Sequence, residues 1–446
     1  MQMQSERLQE YIDRMSRDLV RDYSIPAEMY ENQDIKRGLR NNDGTGVLVG
    51  ISKVGSVQGY YMVDGQRVPM PGKLYYRGIS VEDIVDAHQQ AGTFGYEEVA
   101  YLLLLGRLPA AEELAQFNQI LANARQMPAA FTEDMILKAP SRNIMNQLAR
   151  SVLALYSFDD NADDASPENI LRQSIELIAR FPLIAANALM AKRHYFEGNS
   201  LYLHNPLPEL SVAENLLRMT RADKSYTAQE AHLLDLMLIL HAEHSSNNST
   251  FVCRAISSSG TDTYSAIAGA VGSLKGPLHG GANAKVLQMF RTIRDTVGAT
   301  PTDEALGACL DDLLDGKTGD RSGKLYGLGH AVYTMSDPRA IVIKKYAAAL
   351  AREKGRLDDL ELMLHQMVRI DRARDVHELH DSIQNLLQAM GDYTKADRVF
   401  IFEFRDALHI YRNTYEWCAP GITPQIDNLQ TIEPSDIPVW QAAFEQ

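Results

Sequence analysis

The chain is poor in cysteine: three residues in 446, Cys253, Cys309 and Cys418, widely separated and odd in number. That excludes a disulfide framework and a CxxC metal pair, and it fits a reducing, cytoplasmic setting. Positive charge is in deficit, because 44 Lys and Arg against 58 Asp and Glu leave a formal net charge of −14. A field of that sign repels phosphate backbones and anionic lipid surfaces, so no nucleic-acid partner is expected. It leaves room for a small anion, since a few local Arg and His can outweigh the mean field inside a cleft. Long hydrophobic runs are missing as well. No uncharged apolar stretch approaches the ~20 residues that a bilayer requires, and the N-terminal MQMQSERLQEYIDRMSRDLVRDYSIP lacks the apolar core of a targeting signal. No membrane association is expected.

What remains is ordinary globular composition, 45% hydrophobic and 23% charged, at a length that calls for two or three domains. From about Glu97 to Asn248 the period is helical, as in Val99, Leu102, Leu103 and Gly106, or Leu233, Leu234, Met237, Leu238 and His241, with prolines punctuating the segments. This reads as a mostly α protein. Two short runs, Gly46 to Gly50 and Gln58 to Met62, predict a small sheet or hairpin near the start. The acidic run Asp159 to Asp164 reads as a solvated loop ahead of a helix rather than a metal site. The end of the chain changes character: Val376, Leu379, Ile383, Leu386, Leu387 and Met390 predict a helix stopped by Gly391. A hairpin follows, from Val399 to Phe402 and from Leu408 to Trp417, joined through Arg405 to Ala407. That change places a boundary between Gly355 and Asp375.

Three clusters could carry chemistry. In the first, Thr227 and Glu230 form a capping box for a helix whose stripe, Leu234, Met237 and Leu238, leads to His241 and His244 on one face. That pair could ligate a metal, present imidazoles to an anion, or sit as core histidines bonded to backbone; the donor-rich run Ser245 to Thr250 favours a polar pocket. The second is Gly276-Pro-Leu-His-Gly-Gly-Ala-Asn283, followed by a helix with Val286, Phe290, Ile293 and Val297 at helical spacing and Gly298 as its stop. His279 then sits at a helix N-terminus, where the macrodipole disfavours an imidazolium and leaves a neutral hydrogen-bond donor. A structural turn is the alternative. The third is Gly327-Leu-Gly-His-Ala-Val-Tyr333 with Ser336-Asp-Pro-Arg-Ala340. Here glycines flank His330, and Asp337-Pro338 opens a helix with Arg339 in its first turn, where the dipole gives a cation nothing and an anionic partner is implied. The Gly-Leu-Gly is no dinucleotide fingerprint, since a third glycine and a preceding strand are missing.

Taken together, LHAEHSSNNSTF, LKGPLHGGANAKV and GLGHAVYTMSDPRA resemble citrate synthase, and the likeness extends upstream through Leu74-Tyr-Tyr-Arg-Gly-Ile79 and Gly95-Tyr-Glu-Glu-Val-Ala-Tyr-Leu102, over about residues 35–360. The resemblance implies a helical homodimer with a large and a small domain, condensing acetyl-CoA with oxaloacetate, with acetyl-CoA as substrate and no metal or cofactor. It implies that His279 donates to the acetyl carbonyl and stabilises the enol, that His330 polarises and protonates the ketone, and that His244 and Arg339 hold oxaloacetate. The family's base is an aspartate in a motif resembling Asn-Val-Asp-Phe-Tyr-Ser-Gly, and no such heptapeptide follows Gly355. The nearest aspartate by pattern is Asp397, in a context that resembles the opening of a GAF sensor domain. The expected layout is a large helical domain over 1–274, an incomplete small domain over 275–365 and a GAF-like N-terminal fragment, partial α+β, over 366–446. Three functional readings stay open: citrate formation, 2-methylcitrate formation from propionyl-CoA, and a non-catalytic truncated fusion or ligand-sensing protein. A metal-dependent enzyme built on His241 and His244 is the remaining alternative.

Overall fold

The computed structural model describes residues 52–63, 66–298, 301–327, 333, 335–355, 387–388, 390, 395–405, 410–429 and 431–432. The chain divides into two units, residues 1–284 with 329–355 and residues 285–328 with 356–446.

In the first unit, the run from Gln58 to Met62 lies in a long strand, β1 (Gly55–Val63), which pairs antiparallel with β2 (Gln66–Tyr76) from Gly55 opposite Tyr76 to Val63 opposite Gln66. The run from Gly46 to Gly50 lies outside the described residues. A turn at Arg77 and Gly78, both at positive φ, returns the chain as β3 (Ile79–Ser80) and directly into α1 (Val81–Ala91). Arg77 donates through Nε and Nη2 to the Leu103 carbonyl, at 3.2 and 2.7 Å, in α2 (Tyr96–Leu105). That bond satisfies a carbonyl in the last turn of α2, whose chain then turns at Gly106 in the left-handed region, φ 85°.

The rest of this unit is helical: α3 (Ala111–Ala124), a π-helical turn at Thr132–Leu137, α4 (Ile144–Leu155), α5 (Pro167–Glu197), α6 (Val212–Thr220), α7 (Ala228–His241), α8 (Asn248–Ser257), α9 (Thr263–Leu274), the first residues of α10 (Ala282–Val297), which belongs to the second unit from Lys285 on, and the returning α12 (Pro338–Glu353). Many N-termini carry the side-chain caps that their sequences specify: Ser166, Ser211, Thr227, Asn247, Asp262 and Asp337 each accept from a backbone N–H in the first turn.

Proline punctuation does not hold in α5. Pro182 lies inside this 31-residue helix. The ring removes one intrahelical bond, and the packing of Leu177, Ile184, Ala188 and Ala191 into the main core outweighs that loss. Among the described helices α5 is the one long and apolar enough, by length and composition only, to cross a bilayer. Its apolar length has another cause here: ten of its residues are buried against protein, while Arg172, Glu176 and Arg180 pair along its polar side. The acidic run ahead of it is also more than a solvated loop. Asp159, its side chain 8% exposed, accepts from Arg172 at 2.8 Å, Gln173 at 3.0 Å and the Tyr264 hydroxyl at 2.8 Å, so the run is locked onto α5 and α9.

A second core of this unit joins β2, α1, α2, α7 and α12 through Leu74, Tyr76, Val81, Val85, Leu102, Leu236, Ile239 and Leu240, with Val342 and Ile343 of α12 packed against them. The buried face of α7 is Ala231, Asp235, Leu236, Ile239 and Leu240, whereas Met237 of the expected stripe is 39% exposed. A helix apolar on nearly every side gives periodicity nothing to choose between, and the choice is made by Asp235. Its carboxylate accepts the Gly95 and Tyr96 N–H groups at 2.8 and 3.2 Å, capping α2 from a distance of 140 and 139 residues. Burial pushes its pKa up to about 6.

The second unit contains α10 and α11 (Asp303–Leu314), closed by Met289, Ile293, Leu306, Cys309, Leu310 and Leu313. Its hairpin is β4 (Arg398–Arg405) paired antiparallel with β5 (Ile410–Cys418), from Arg398 opposite Cys418 to Arg405 opposite Ile410, with a register shift at Ile401/Phe402. The joining residues 406–409 and most of the helix expected before the hairpin lie outside the described residues; Leu387, Gln388 and Met390 are helical.

Candidate functional site

The site is built on two short segments of the first unit, 244–249 and 333–339, and the turn that carries His279. Helix α7 ends at His241. His241 and His244 therefore do not share a helical face, which corrects the sequence reading: the helix stops between them. His241 is exposed and its Nδ1 pairs with the Met237 carbonyl at 2.7 Å, while His244 leaves the helix axis and its Nε2 pairs with the Tyr333 hydroxyl at 3.1 Å. The rings of His244 and Tyr333 meet edge to face, centroids 5.5 Å apart and planes at 77°. Among the described residues no group of three His, Cys, Asp or Glu side chains is placed to hold a metal ion.

Ser245 sits at positive φ, 58°, turning the chain so that Asn247 can cap α8 by accepting from Thr250 N at 3.0 Å. The first turn of α8 then presents Ser249, whose Oγ lies 2.8 Å from Nε2 of His279. His279 is held in a tight turn in which its own N–H donates to the Gly276 carbonyl at 3.0 Å and its carbonyl accepts from Ala282 N at 3.0 Å. The neighbouring Gly281 is required: an added Cβ would overlap the Lys275 carbonyl and come within 2.8 Å of the Gly276 carbonyl oxygen. Burial lowers the pKa of the half-buried His279 below its ordinary 6.5, so the imidazole is neutral at neutral pH. The direction is the one expected from a helix terminus, but desolvation is its cause.

Arg339 opens α12 as the sequence pattern indicates. Asp337 caps the helix by accepting from Arg339 N at 2.9 Å, and the same carboxylate receives Arg339 Nε at 3.0 Å and Nη2 at 2.7 Å. An anionic partner for the misplaced cation is thus already supplied by the chain, in a bidentate pair, and Nη1 has no hydrogen-bond partner among the described residues. The hydrogen bonds to Asp337 raise the guanidinium pKa against the opposing cost of burial, so the charge is permanent. Tyr76 lies close enough that Arg339 acts on its phenol; its hydroxyl donates to the Ile239 carbonyl at 2.8 Å and accepts from Glu243 N at 3.4 Å. His330 lies outside the described residues. Asp397, just before β4 in the second unit, is exposed, and its backbone carbonyl accepts from Ala419 N at 2.9 Å.

Sequence reading singled out His244, His279 and Arg339 but assigned nothing to Tyr333, Ser249 or Tyr76. Ser249 lay in a run noted for its donors, and the two tyrosines lay inside quoted clusters, where an aromatic residue reads as core until its hydroxyl is seen to have a partner.

The family model for "Citrate synthase, C-terminal domain" matches residues 43–383. The chain belongs to the citrate synthase family. A citrate synthase of Deinococcus radiodurans is 35% identical over 292 residues, which cover 66% of this chain and 71% of the relative. The protein named 2-methylcitrate synthase 2 of Corynebacterium glutamicum is 34% identical over 295 residues, 65% and 71% of the two chains. Among solved structures, that of citrate synthase from Pyrobaculum aerophilum aligns with TM-score 0.57 and 26% identity, covering 76% of this chain and 79% of that one. The citrate synthase fold and the mostly helical architecture agree, and the family match runs past the boundary expected before Asp375.

Proposed function

We propose that this citrate synthase family enzyme condenses acetyl-CoA with oxaloacetate to give citrate and CoA. His279 carries the reading. With Ser249 Oγ–H donating to Nε2, the proton of the neutral ring sits on Nδ1, the nitrogen left to face a thioester carbonyl. As a base removes a methyl proton, that N–H stabilises the developing enolate, an electrostatic contribution worth about 10²–10³ in rate. The enol carbon attacks the ketone of oxaloacetate, one carbon–carbon bond forms, and the alkoxide takes a proton from His330. Water then cleaves the thioester to release CoA. Arg339 grips one oxaloacetate carboxylate through Nη1 while Asp337 holds its other edge, and His244 supports the same ligand.

The test is release of free CoA by the purified chain. The reading expects release that requires both acetyl-CoA and oxaloacetate and falls in His279→Ala; a folded protein that releases none with any acyl-CoA sinks it and leaves the non-catalytic fusion. The similar identity of the relative named as a 2-methylcitrate synthase supports running propionyl-CoA beside acetyl-CoA, and a higher kcat/KM for propionyl-CoA would assign that reaction instead. The layout of large domain, small domain and GAF-like tail stands with this proposal; the antiparallel pairing of β4 with β5, in the segment read as the start of such a tail, supports it. A homodimer is proposed on the family likeness, and a cytoplasmic setting on the three free thiols.

A further inference from the structure

We propose that Tyr76 is a positioning residue whose hydroxyl stands in the hydrogen-bond ladder of α7, ends that helix at His241 and so delivers His244 to the oxaloacetate site; the inference rests on the functional reading above and deepens it. In a continued α-helix the N–H of residue 243 would donate to the carbonyl of residue 239. Here the Tyr76 hydroxyl stands between those two groups. It donates to the Ile239 carbonyl at 2.8 Å and accepts from Glu243 N at 3.4 Å, so one side chain bridges the pair that the next turn would have joined. A hydroxyl suits this place because it can donate and accept at once. The Ile239 carbonyl takes a further bond from Ala242 N at 3.2 Å, which closes the last turn.

The phenol is held in place. Tyr76 and Ile239 are both buried, and Tyr76 is the last residue of β2, paired with Gly55 of β1 and with Ile79 of β3. The next residue, Arg77, donates through its N–H to the Val54 carbonyl at 2.8 Å. Burial raises the phenol pKa well above its ordinary value, so the proton given to Ile239 is retained throughout the physiological range. Glu243, once off the helix, lies along β1. A Cβ at Gly55, the residue opposite Tyr76, would come within 2.6 Å of its Cγ and 2.7 Å of its Oε1. The same hairpin therefore opens the ladder and receives the residue that is released. His244 follows, and the chain turns at Ser245, φ 58°. Had α7 run on, His244 would share a helical face with His241, three residues back. The Tyr76 hydroxyl chooses between these two places. Its loss lets Glu243 N reach the Ile239 carbonyl directly and carries His244 onto the helix, away from the ligand.

The experiment uses Tyr76→Phe in the full chain, which keeps the ring and removes the oxygen. Two readouts are taken. A crystal structure of the variant should show Glu243 N bonded to the Ile239 carbonyl and α7 lengthened to include His244. In the CoA-release assay KM for oxaloacetate should rise about tenfold, the scale of one impaired hydrogen bond to a charged ligand, with kcat and KM for acetyl-CoA within about twofold. The variant should fold, because the two backbone groups that lose the hydroxyl satisfy each other. A variant that does not fold, one whose α7 still ends at His241, or one that lengthens the helix with oxaloacetate KM unchanged overturns the proposal. A wild type that releases no CoA counts instead against the functional reading, and the crystal structure of the variant still decides whether the hydroxyl ends α7.

Discussion

Segments 244–249 and 333–339 of the first unit and the β4–β5 hairpin of the second use polar side chains in different ways. In the hairpin, Glu416 has a side chain 2% exposed and both its oxygens accept from Gln425 N, at 3.0 and 2.8 Å, while Arg398 lies 3.8 Å away and donates to the Thr423 carbonyl. That network fixes a turn, yet it leaves the buried Nε of Arg398 without a hydrogen-bond partner. In the first unit the polar pairs Asp337–Arg339 and Ser249–His279 each end on a group with a nitrogen, Nη1 of the guanidinium or Nδ1 of the imidazole, that has no hydrogen-bond partner among the described residues. Spare donor capacity therefore occurs in both regions and does not by itself mark a ligand site. The comparison also separates two carboxylates near the same pattern of residues, since Asp337 is engaged by the guanidinium it orients and Asp397 is exposed at a strand entrance.

That contrast can be broken in four places. The largest effect belongs to His279→Ala, which should lower the rate of CoA release by about 10²–10³ while the unfolding midpoint moves little, because the role proposed for the ring is transition-state stabilisation. Next is Asp235→Asn. The folded pKa of about 6 lies above the ordinary 3.8, so between those values the fold holds a proton that the unfolded chain has lost, and stability falls as pH rises across that window. The cost by pH 7 is on the order of 3 kcal/mol, and the substitution should flatten the slope seen when denaturant unfolding is compared at about pH 4.5, 5.5 and 7. Arg339→Lys keeps the charge but loses the fork, and a rise of about tenfold in oxaloacetate KM is expected from steady-state kinetics. The smallest effect is Asp397→Ala, which should leave the rate of CoA release within about twofold; a fall of about 10² or more would make that exposed carboxylate the base.

Much of the site was legible because its punctuation is chemical. Thr227 and Glu230 form the reciprocal cap that their spacing specifies, and Asp337-Pro338 starts a helix as read. The glycines around His279 are there because backbone approaches backbone. Three features were not legible, each because a long-range contact decides it. Pro182 ends no helix, since the core on both sides of it holds α5 together. The face of α7 is set by Asp235 reaching the N-terminus of α2, far away in sequence. The end of α7 at His241, which separates two histidines that a longer helix would align, depends on Tyr76 binding the Ile239 carbonyl and the Glu243 N–H.

The central claim is that the two short segments and the His279 turn converge on one small dicarboxylate, and a crystal structure with bound oxaloacetate tests it most directly. The account predicts a ligand carboxylate within hydrogen-bond distance of Arg339 Nη1 and of His244, with Tyr333 still bonded to Nε2. Oxaloacetate bound elsewhere, or bound while Arg339 contacts only Asp337, would contradict it.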